Sequence, residues 1–147
     1  MNADERARIL TFLRSHRWAV EATASPDGSP EAALVGYAVT DQLELVFDTL
    51  SSTRKATNLA ANPRVAVVIG GWGDGDPRTL QIEGVADLPG GTELQRLQHA
   101  YIAAFPDGPT RMSWPEITYV RITPTWMRFS DYRVLPPDIV EWHMTAQ

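Results

Sequence analysis

Two adjacent cations, Arg54 and Lys55, stand at the start of a short predicted helix that Ser51 or Ser52 is expected to cap. A cation at a helix N-terminus opposes the helix dipole at a cost of roughly 0.3–1 kcal/mol. An anion bound between the two side chains would reverse the sign of that effect. Because a helix start also presents unpaired N–H groups, this pattern favours a phosphate site. The alternative is that both cations pair with carboxylates on the protein surface.

Lys55 is the only lysine among 13 basic residues. Two explanations account for this equally well. One is a compositional bias toward arginine, and the other is a specific need for a compact point charge, which a guanidinium does not provide. Composition by itself leaves the two explanations open.

The segments around this helix predict a mainly β fold with flanking helices. Turn-bounded apolar runs lie at residues 18–23, 32–39, 43–47, 64–69, 79–88, 117–122 and 126–129. These seven runs predict about six or seven strands, and we expect a mostly antiparallel sheet of about six, because tight turns or short helices join neighbouring strands. Such a sheet closes most easily into a small barrel.

Two longer helices are expected beside the short one. Asn2 with Glu5 forms a capping box at the first, and Thr92 with Gln95 forms another at the second. The chain after Pro137 has no assignment. Glycines surround Trp72, which could stack on a ring.

The overall composition excludes several classes of protein. A length of 147 residues predicts one domain spanning residues 1–147. The absence of cysteine excludes thiol catalysis, and scattered histidines argue against a metal site. A net charge of -5 argues against nucleic acid as a partner. No run approaches the ~20 apolar residues of a membrane span, and the charged start lacks the features of a signal peptide. We therefore expect a cytoplasmic protein without a membrane partner.

Several motifs in order resemble the core of one family, the pyridoxamine 5'-phosphate oxidase-like proteins or FMN-binding split barrels. The matching segments are Phe47-Asp48-Thr49, Ser52-Thr53-Arg54-Lys55, Asn58-Leu59, Asn62-Pro63-Arg64-Val65-Ala66-Val67-Val68, Leu80-Gln81-Ile82-Glu83-Gly84-Val85-Ala86, Ala22-Thr23 and Pro26-Asp27-Gly28-Ser29-Pro30. The resemblance covers about residues 19–88 and continues weakly through residues 119–132.

This resemblance implies a split β-barrel that forms a homodimer, with FMN at the subunit interface. It implies that Arg54 and Lys55 grip the FMN phosphate, helped by Ser52 or Thr53. It implies that Asp48 and Thr49 lie beside the ribityl chain and the phosphate, and that Leu34, Val35, Gly36 and Tyr37 run along the isoalloxazine ring with backbone hydrogen bonds. It also implies that Thr79 and Gln81 approach the cofactor from the neighbouring strand, and that Trp126 and Arg128 come from the partner subunit.

The sequence also departs from the vitamin B6 oxidases of this family. Ala33 stands where those enzymes have an arginine for the FMN phosphate. Tyr101 matches a tyrosine for the substrate phosphate, but Phe105 replaces the arginine four residues later. Glu141-Trp142-His143 replaces their arginine-x-histidine signature. We therefore expect a protein that is not a true pyridoxamine phosphate oxidase.

The resulting functional hypothesis is an FMN-dependent oxidoreductase that transfers a hydride between the flavin and a small organic substrate. No side chain is an evident catalytic acid or base. One alternative is an F420-dependent reductase of the same fold, and another is a non-catalytic flavin carrier or sensor. Glu21, Glu83 and Asp87 are expected to face solvent on their strands.

Overall fold

The computed structural model describes residues 1–71 and 75–144, which form eight strands and four helices. Trp72 lies outside the described residues. In chain order the elements are α1 (Ala3–Arg14), β1 (Trp18–Ala24), β2 (Pro30–Gly36), β3 (Ala38–Val39), β4 (Leu45–Leu50), α2 (Arg54–Ala61), β5 (Arg64–Gly70), β6 (Arg78–Asp87), α3 (Gly91–Ala104), α4 (Gly108–Arg111), β7 (Ile117–Asp131) and β8 (Asp138–His143). The expected mainly β, antiparallel fold is confirmed.

All eight strands belong to one antiparallel sheet, in the order β2-β1-β5-β6-β7-β4-β3, with β8 paired to β7. The long strand β7 pairs with β6 along one edge. Its first half pairs with β4 and its second half with β8 on the other edge. Because β7 is long, it pairs with β8 beyond the point where its pairing with β4 ends.

The sheet curls until its two ends meet. Strands β2 and β3 stand at opposite ends of the pairing order, yet only Tyr37 separates them in the chain. Since consecutive Cα atoms lie 3.80 Å apart, the two ends must be close, and β2 also contacts β4. Within the described residues no ladder joins β2 to β3 or β4, so the result is a split barrel.

The barrel interior holds the main apolar core, which α1 covers with Ile9, Phe12 and Leu13. The expected capping box of α1 is confirmed, because Asn2 and Glu5 each accept the other's backbone N–H. A second apolar cluster lies outside the barrel wall, where α3 packs on β3, β4 and β7. The helices therefore cover opposite parts of the sheet.

Three details differ from the sequence-based expectation. The sheet has eight strands rather than about six, because β3 is separate from β2 and residues 138–143 form β8. Residues 117–131 form a single strand, because a register shift opposite Glu83 and Gly84 accommodates Pro124. Helix α3 begins at Gly91 after Gly90, which has no side-chain cap, so the predicted Thr92 capping box is wrong.

Candidate cofactor site

The turn from β4 into α2 is held by hydroxyl groups and backbone hydrogen bonds. Thr53 is the N-cap of α2, and its Oγ1 accepts a hydrogen bond from the Ala56 N–H at 3.4 Å. That Oγ1 also lies 3.2 Å from Thr49 Oγ1. The prediction that Ser51 or Ser52 caps the helix is therefore wrong, and both of these serines are exposed.

Arg54 and Lys55 are the first two residues of α2. Within the described part of the chain their backbone N–H groups have no acceptor, as expected for the first turn of a helix. The Arg54 side chain is 72% exposed, and its only ion-pair contact in that part is a long one, 4.0 Å from Nε to Glu31 Oε2. The predicted juxtaposition of two cations and a helix N-terminus is therefore present.

A hydrogen-bonded group fixes α2 against β1 and β2. Asn58 is buried and donates from Nδ2 to Thr23 Oγ1 at 3.0 Å and to Glu31 Oε2 at 3.1 Å. Because these bonds join three elements, they set the position of the cationic helix start relative to β2.

Glu21 brings a buried carboxyl group into this region. The residue is 1% exposed, and neither carboxylate oxygen has a hydrogen-bond partner in the described residues. The pKa of Glu21 is raised to about 7, chiefly by burial; Lys55 acts to lower this pKa and Glu31 acts to raise it. The expectation that Glu21 faces solvent is wrong.

Strand β1 shows why the prediction for Glu21 failed. Ala19, Glu21 and Thr23 point into the barrel, whereas Val20 and Ala22 lie on its outer surface. Polar residues usually lie on the solvent side of such a strand. In β1 the polar residues Glu21 and Thr23 are instead buried.

Asp48, on β4, lies among side chains of α3 and α4. It accepts hydrogen bonds from Tyr101 Oη at 2.8 Å and from Arg111 Nε at 2.7 Å. Arg111 also donates to the Tyr101 hydroxyl at 3.2 Å. Burial and the Asp48 carboxylate raise the pKa of Tyr101, so its hydroxyl remains a donor.

The four residues predicted to lie along the ring, three at the end of β2 and Tyr37 directly after it, alternate between the two faces of the barrel wall. Leu34 is 61% exposed on the outer surface, and Gly36 lies under the Phe105 ring. Val35 packs against the core, and the buried Tyr37 donates from its hydroxyl to the Leu13 carbonyl at 2.7 Å. Because β2 is an end strand of the sheet, its free edge can offer backbone hydrogen bonds.

The outer surface collects most of the remaining predicted side chains. One cross-strand row runs over β2, β1, β5, β6, β7 and β8 as Leu34, Val20, Val68, Gln81, Arg128 and Glu141. Arg128 lies 3.5 Å from Glu141 through Nη1 and Oε1. Thr79 lies on the Gln81 side of β6, and Trp126 on the Arg128 side of β7, opposite His143.

Two cavities adjoin the helices. One of about 720 Å³ lies between the end of α1, β3 and α3, and one of about 370 Å³ lies between α2 and the ends of β6 and β7. Neither of these two is lined by Arg54 or Lys55. The start of α2 lies outside both cavities, with the Arg54 side chain exposed.

The residues at this surface fit an anionic group. The helix start has free N–H groups, an exposed guanidinium on Arg54 and a lysine at the next position, and each of these groups favours a phosphate. Two carboxyl groups, Glu31 and Glu21, lie behind them and moderate the positive potential. A phosphate bound at the α2 start would therefore meet these cations and would also lie near the two carboxyl groups.

Sequence reasoning missed Glu21, Glu31 and Arg111. The alternating pattern of β1 gave a misleading signal for Glu21. Arg111 lies ten residues after Tyr101, beyond the helix end, so no fixed spacing indicates their contact. Phe105 stands where the vitamin B6 oxidases have an arginine. Another cation, Arg111, lies nearby, but its guanidinium is paired with Asp48.

Comparison with known proteins now places the chain in a family. A sequence profile described as pyridoxamine 5'-phosphate oxidase matches residues 6–131, and the chain belongs to that family. A pyridoxine/pyridoxamine 5'-phosphate oxidase from Rubrobacter xylanophilus is 37% identical over 95 residues. The match covers 65% of this chain and 41% of that protein, so the chain spans less than half of this relative's length.

Two solved structures show the same fold. A heme binding protein from Mycobacterium smegmatis has a TM-score of 0.79 at 23% identity, covering 95% of this chain and 58% of the other. A pyridoxamine 5'-phosphate oxidase-related, FMN binding protein from Nostoc punctiforme has a TM-score of 0.72 at 17% identity, covering 97% and 90%. Proteins with this fold thus include one named for heme binding and one named for FMN binding.

Two other kinds of feature are absent from the described residues. None of the helices there combines the length and apolar character needed to cross a membrane. In the same part of the chain, no group of three or more His, Cys, Asp or Glu side chains is arranged to hold a metal ion.

Proposed function

We propose that this protein binds FMN and holds its phosphate at the start of α2. The observation that carries the proposal is the pair Arg54 and Lys55 in the first turn, above free backbone N–H groups. Two cations that oppose a helix dipole are stabilised when a dianion binds between them. Ser52, exposed in the preceding turn, adds a hydroxyl group.

The rest of the cofactor would extend from α2 along β2. Asn58 ties the cationic start of α2 to Glu31, near the beginning of β2, and the free edge of β2 continues from there toward Tyr37. Backbone groups of Leu34, Val35, Gly36 and Tyr37 would bind the ring, and Thr49 would lie beside the ribityl chain. Thr79 and Gln81 would approach from the outer surface of β6.

Bound FMN would supply the redox chemistry, exchanging a hydride with a small organic substrate. The chain itself contributes orientation and electrostatics. Arg54 and Lys55 anchor the phosphate, and the β2 edge fixes the plane of the ring through backbone groups.

We further propose that the substrate is not a phosphorylated B6 vitamer. A substrate phosphate bound beside Tyr101 would need an available cation there. The cation that contacts the Tyr101 hydroxyl, Arg111, is paired with Asp48 at 2.7 Å and with Asp107 at 2.6 Å. Because two carboxylates surround one guanidinium, the cluster repels a further anion.

A homodimer with the cofactor at its interface completes the proposal. The outer surface of β2, β1 and β5 carries the partly or fully exposed apolar side chains Leu34, Val20 and Val68 in one row. Trp126 and Arg128 extend the same surface and would contact the partner's FMN. The open form of the α2 surface also suits a site that a second subunit covers.

The first experiment identifies the cofactor. The purified protein is examined by visible spectroscopy, and any released cofactor is identified by mass. A flavin spectrum with the mass of FMN, with reduction by NAD(P)H and repeated turnover, supports the proposal. F420 without FMN supports the alternative reductase, and an inert flavin supports a carrier or sensor. A heme spectrum without flavin overturns the proposal.

The second experiment tests the anchor. The double variant Arg54→Ala, Lys55→Ala should bind FMN at least about tenfold more weakly, because it removes two charge-assisted contacts to phosphate. Flavin fluorescence quenching measures the affinity, and circular dichroism checks the fold. The matched control is Arg6→Ala, Arg14→Ala, which removes the same charge from α1. Equal affinity of the Arg54, Lys55 variant and the wild type would refute the phosphate assignment.

A further inference from the structure

Glu21 is a buried acid that the proposed function leaves without a role. Its side chain points into the barrel from β1, and both carboxylate oxygens lack hydrogen-bond partners in the described residues. Burying an unpaired carboxylate is expensive, so such a group either finds a counter-charge or binds a proton. The choice between these two states depends on what surrounds it.

The charged groups that face Glu21 come from two elements. Lys55 approaches from α2 and favours the carboxylate, whereas Glu31 approaches from β2 and favours the protonated acid. Arg54 also lies on α2, but its guanidinium is directed to Glu31 at 4.0 Å. Thr23 and Asn58, the nearby uncharged polar residues, bond to each other. Lys55 is therefore the cation on which ionised Glu21 depends.

Lys55 is also one of the two cations proposed to hold the phosphate. A dianion at the α2 start would engage the Lys55 ammonium group and add negative charge close to Glu21. Both changes disfavour the carboxylate form of Glu21. The anion and the ionised carboxyl group thus compete for one lysine.

We propose that Glu21 takes up a proton when a phosphate group binds at the α2 start, so that phosphate affinity falls as the pH rises. The inference rests on the proposed function and names a regulation of the same site. The proton comes from solvent or buffer, the carboxylate becomes a carboxylic acid, and no other bond forms or breaks. Glu21 contacts neither the phosphate nor the ring and acts through Lys55.

The size of the effect follows from the charge state of the free protein. Burial places the pKa of Glu21 at about 7, so at pH 7 about half of the molecules carry the ionised form. Complete protonation on binding would then take up about half a proton per site at that pH. The FMN phosphate has the opposite tendency, because its second pKa is about 6 and the bound dianion releases a small fraction of a proton.

The test measures proton uptake directly. FMN binding is followed by isothermal titration calorimetry at pH 7 in buffers of different ionisation enthalpy, for the wild type, Glu21→Gln and Glu83→Gln. Glu83 is exposed on the outer surface of β6 and provides the matched control. We expect the wild type and Glu83→Gln to take up about half a proton more than Glu21→Gln.

Affinity provides a second readout. Between pH 6 and pH 8 the FMN affinity of the wild type should fall about tenfold relative to that of Glu21→Gln, because protonation of the free carboxyl group becomes costly. Riboflavin, which lacks the phosphate, should show no such difference between the two proteins.

A direct measurement protects the test against a misfolded variant. The carboxyl carbon of Glu21 in the wild type is titrated by NMR with and without FMN, and its pKa should rise on binding. An unchanged pKa, equal proton uptake in wild type and Glu21→Gln, or the same effect with riboflavin overturns this inference alone. Failure of the wild type to bind FMN at any pH overturns the proposed function as well.

Discussion

At the scale of single residues, the start of α2 concentrates opposing charges in a small volume. Arg54 and Lys55 project from the helix, while Glu21 and Glu31 approach from the two strands beneath it. Without a ligand these groups partly neutralise one another. A bound phosphate shifts the balance toward the cations, and for this reason the buried acid matters to the proposed site.

Glu21 should also make the stability of the free protein depend on pH. In the unfolded chain this carboxyl group titrates near 4.5, and in the folded protein near 7. Between those values the folded state binds more protons, so the free energy of unfolding falls as the pH rises. We expect the wild type to lose about 1–3 kcal/mol relative to Glu21→Gln between pH 4.5 and pH 7.5.

Urea unfolding across this pH range measures the difference. Glu83→Gln, an exposed substitution of the same type, should give a curve parallel to that of the wild type. Parallel curves for wild type and Glu21→Gln would show that the buried carboxyl group does not titrate in this window.

The hydrogen-bonded group of Asp48, Tyr101 and Arg111 leads to a separate prediction about stability. Asp48 and Arg111 have side chains 13% and 19% exposed, and Tyr101 donates to the same carboxylate. Asp48→Asn leaves the guanidinium without its buried counter-ion, and we expect a loss of about 1–3 kcal/mol in the free energy of unfolding. Denaturant titration measures the loss.

Asp107→Asn is the control for that substitution. Asp107 pairs with the same arginine but is 69% exposed, so its loss should cost less than about 1 kcal/mol. Similar losses in the two variants would mean that burial of the Asp48 pair contributes nothing to stability.

At the scale of elements, tight packing between β5, β6 and α1 depends on one glycine. Gly70 ends β5 with φ of +85°, and a Cβ there would lie 2.5 Å from the Arg78 carbonyl oxygen and 2.8 Å from Phe12 Cζ. No rotamer change removes a clash with backbone. The close approach of the two strands to α1 therefore requires a residue without a side chain.

Gly70→Ala should lower the free energy of unfolding by at least about 2 kcal/mol, because it combines backbone strain with overpacking. Gly28 has the same φ of +85°, but a Cβ added there would meet nothing within 4 Å. Gly28→Ala therefore measures the backbone cost alone, about 1–2 kcal/mol. Thermal and urea unfolding compare the two, and an equal loss would contradict the packing argument.

At the scale of the whole molecule, the outer surface of the barrel reverses the usual arrangement of a half-buried strand. On β1 the polar Glu21 and Thr23 are inside, and the apolar Val20 faces outward beside Val68. An exposed apolar row of this kind is typical of an interface between proteins. The proposed homodimer would cover it.

Val68→Glu should therefore disrupt the dimer by placing a charge in that row, beside Val20. Sedimentation equilibrium should show the wild type at twice the chain mass of 16.3 kDa and the variant at the single chain mass. Val134→Glu makes the same change at a half-exposed position in the loop between β7 and β8 and should remain dimeric. A monomeric wild type that is saturated with flavin would contradict the interface.

The sequence by itself determined several local features of this protein, whereas the predicted caps of α2 and α3 were wrong. Turn residues bounded the strands, Asn2 and Glu5 marked the start of α1, and a cationic pair marked the start of α2. These are short-range properties, because a cap, a turn or the first residues of a helix depend on neighbours a few positions away. The motifs and their order along the chain also indicated the family, and the profile match confirmed it.

Only the tertiary structure decided which groups meet. The inward position of Glu21, its dependence on Lys55 and the contact of Arg111 with Tyr101 all join elements that are distant in the chain. The face that a strand turns to the core depends on the register and packing of the whole barrel. Alternation of polar and apolar residues along a strand does not distinguish its inner face from its outer face when the outer face is also apolar. The buried acid behind the cations is therefore a property of the folded sheet.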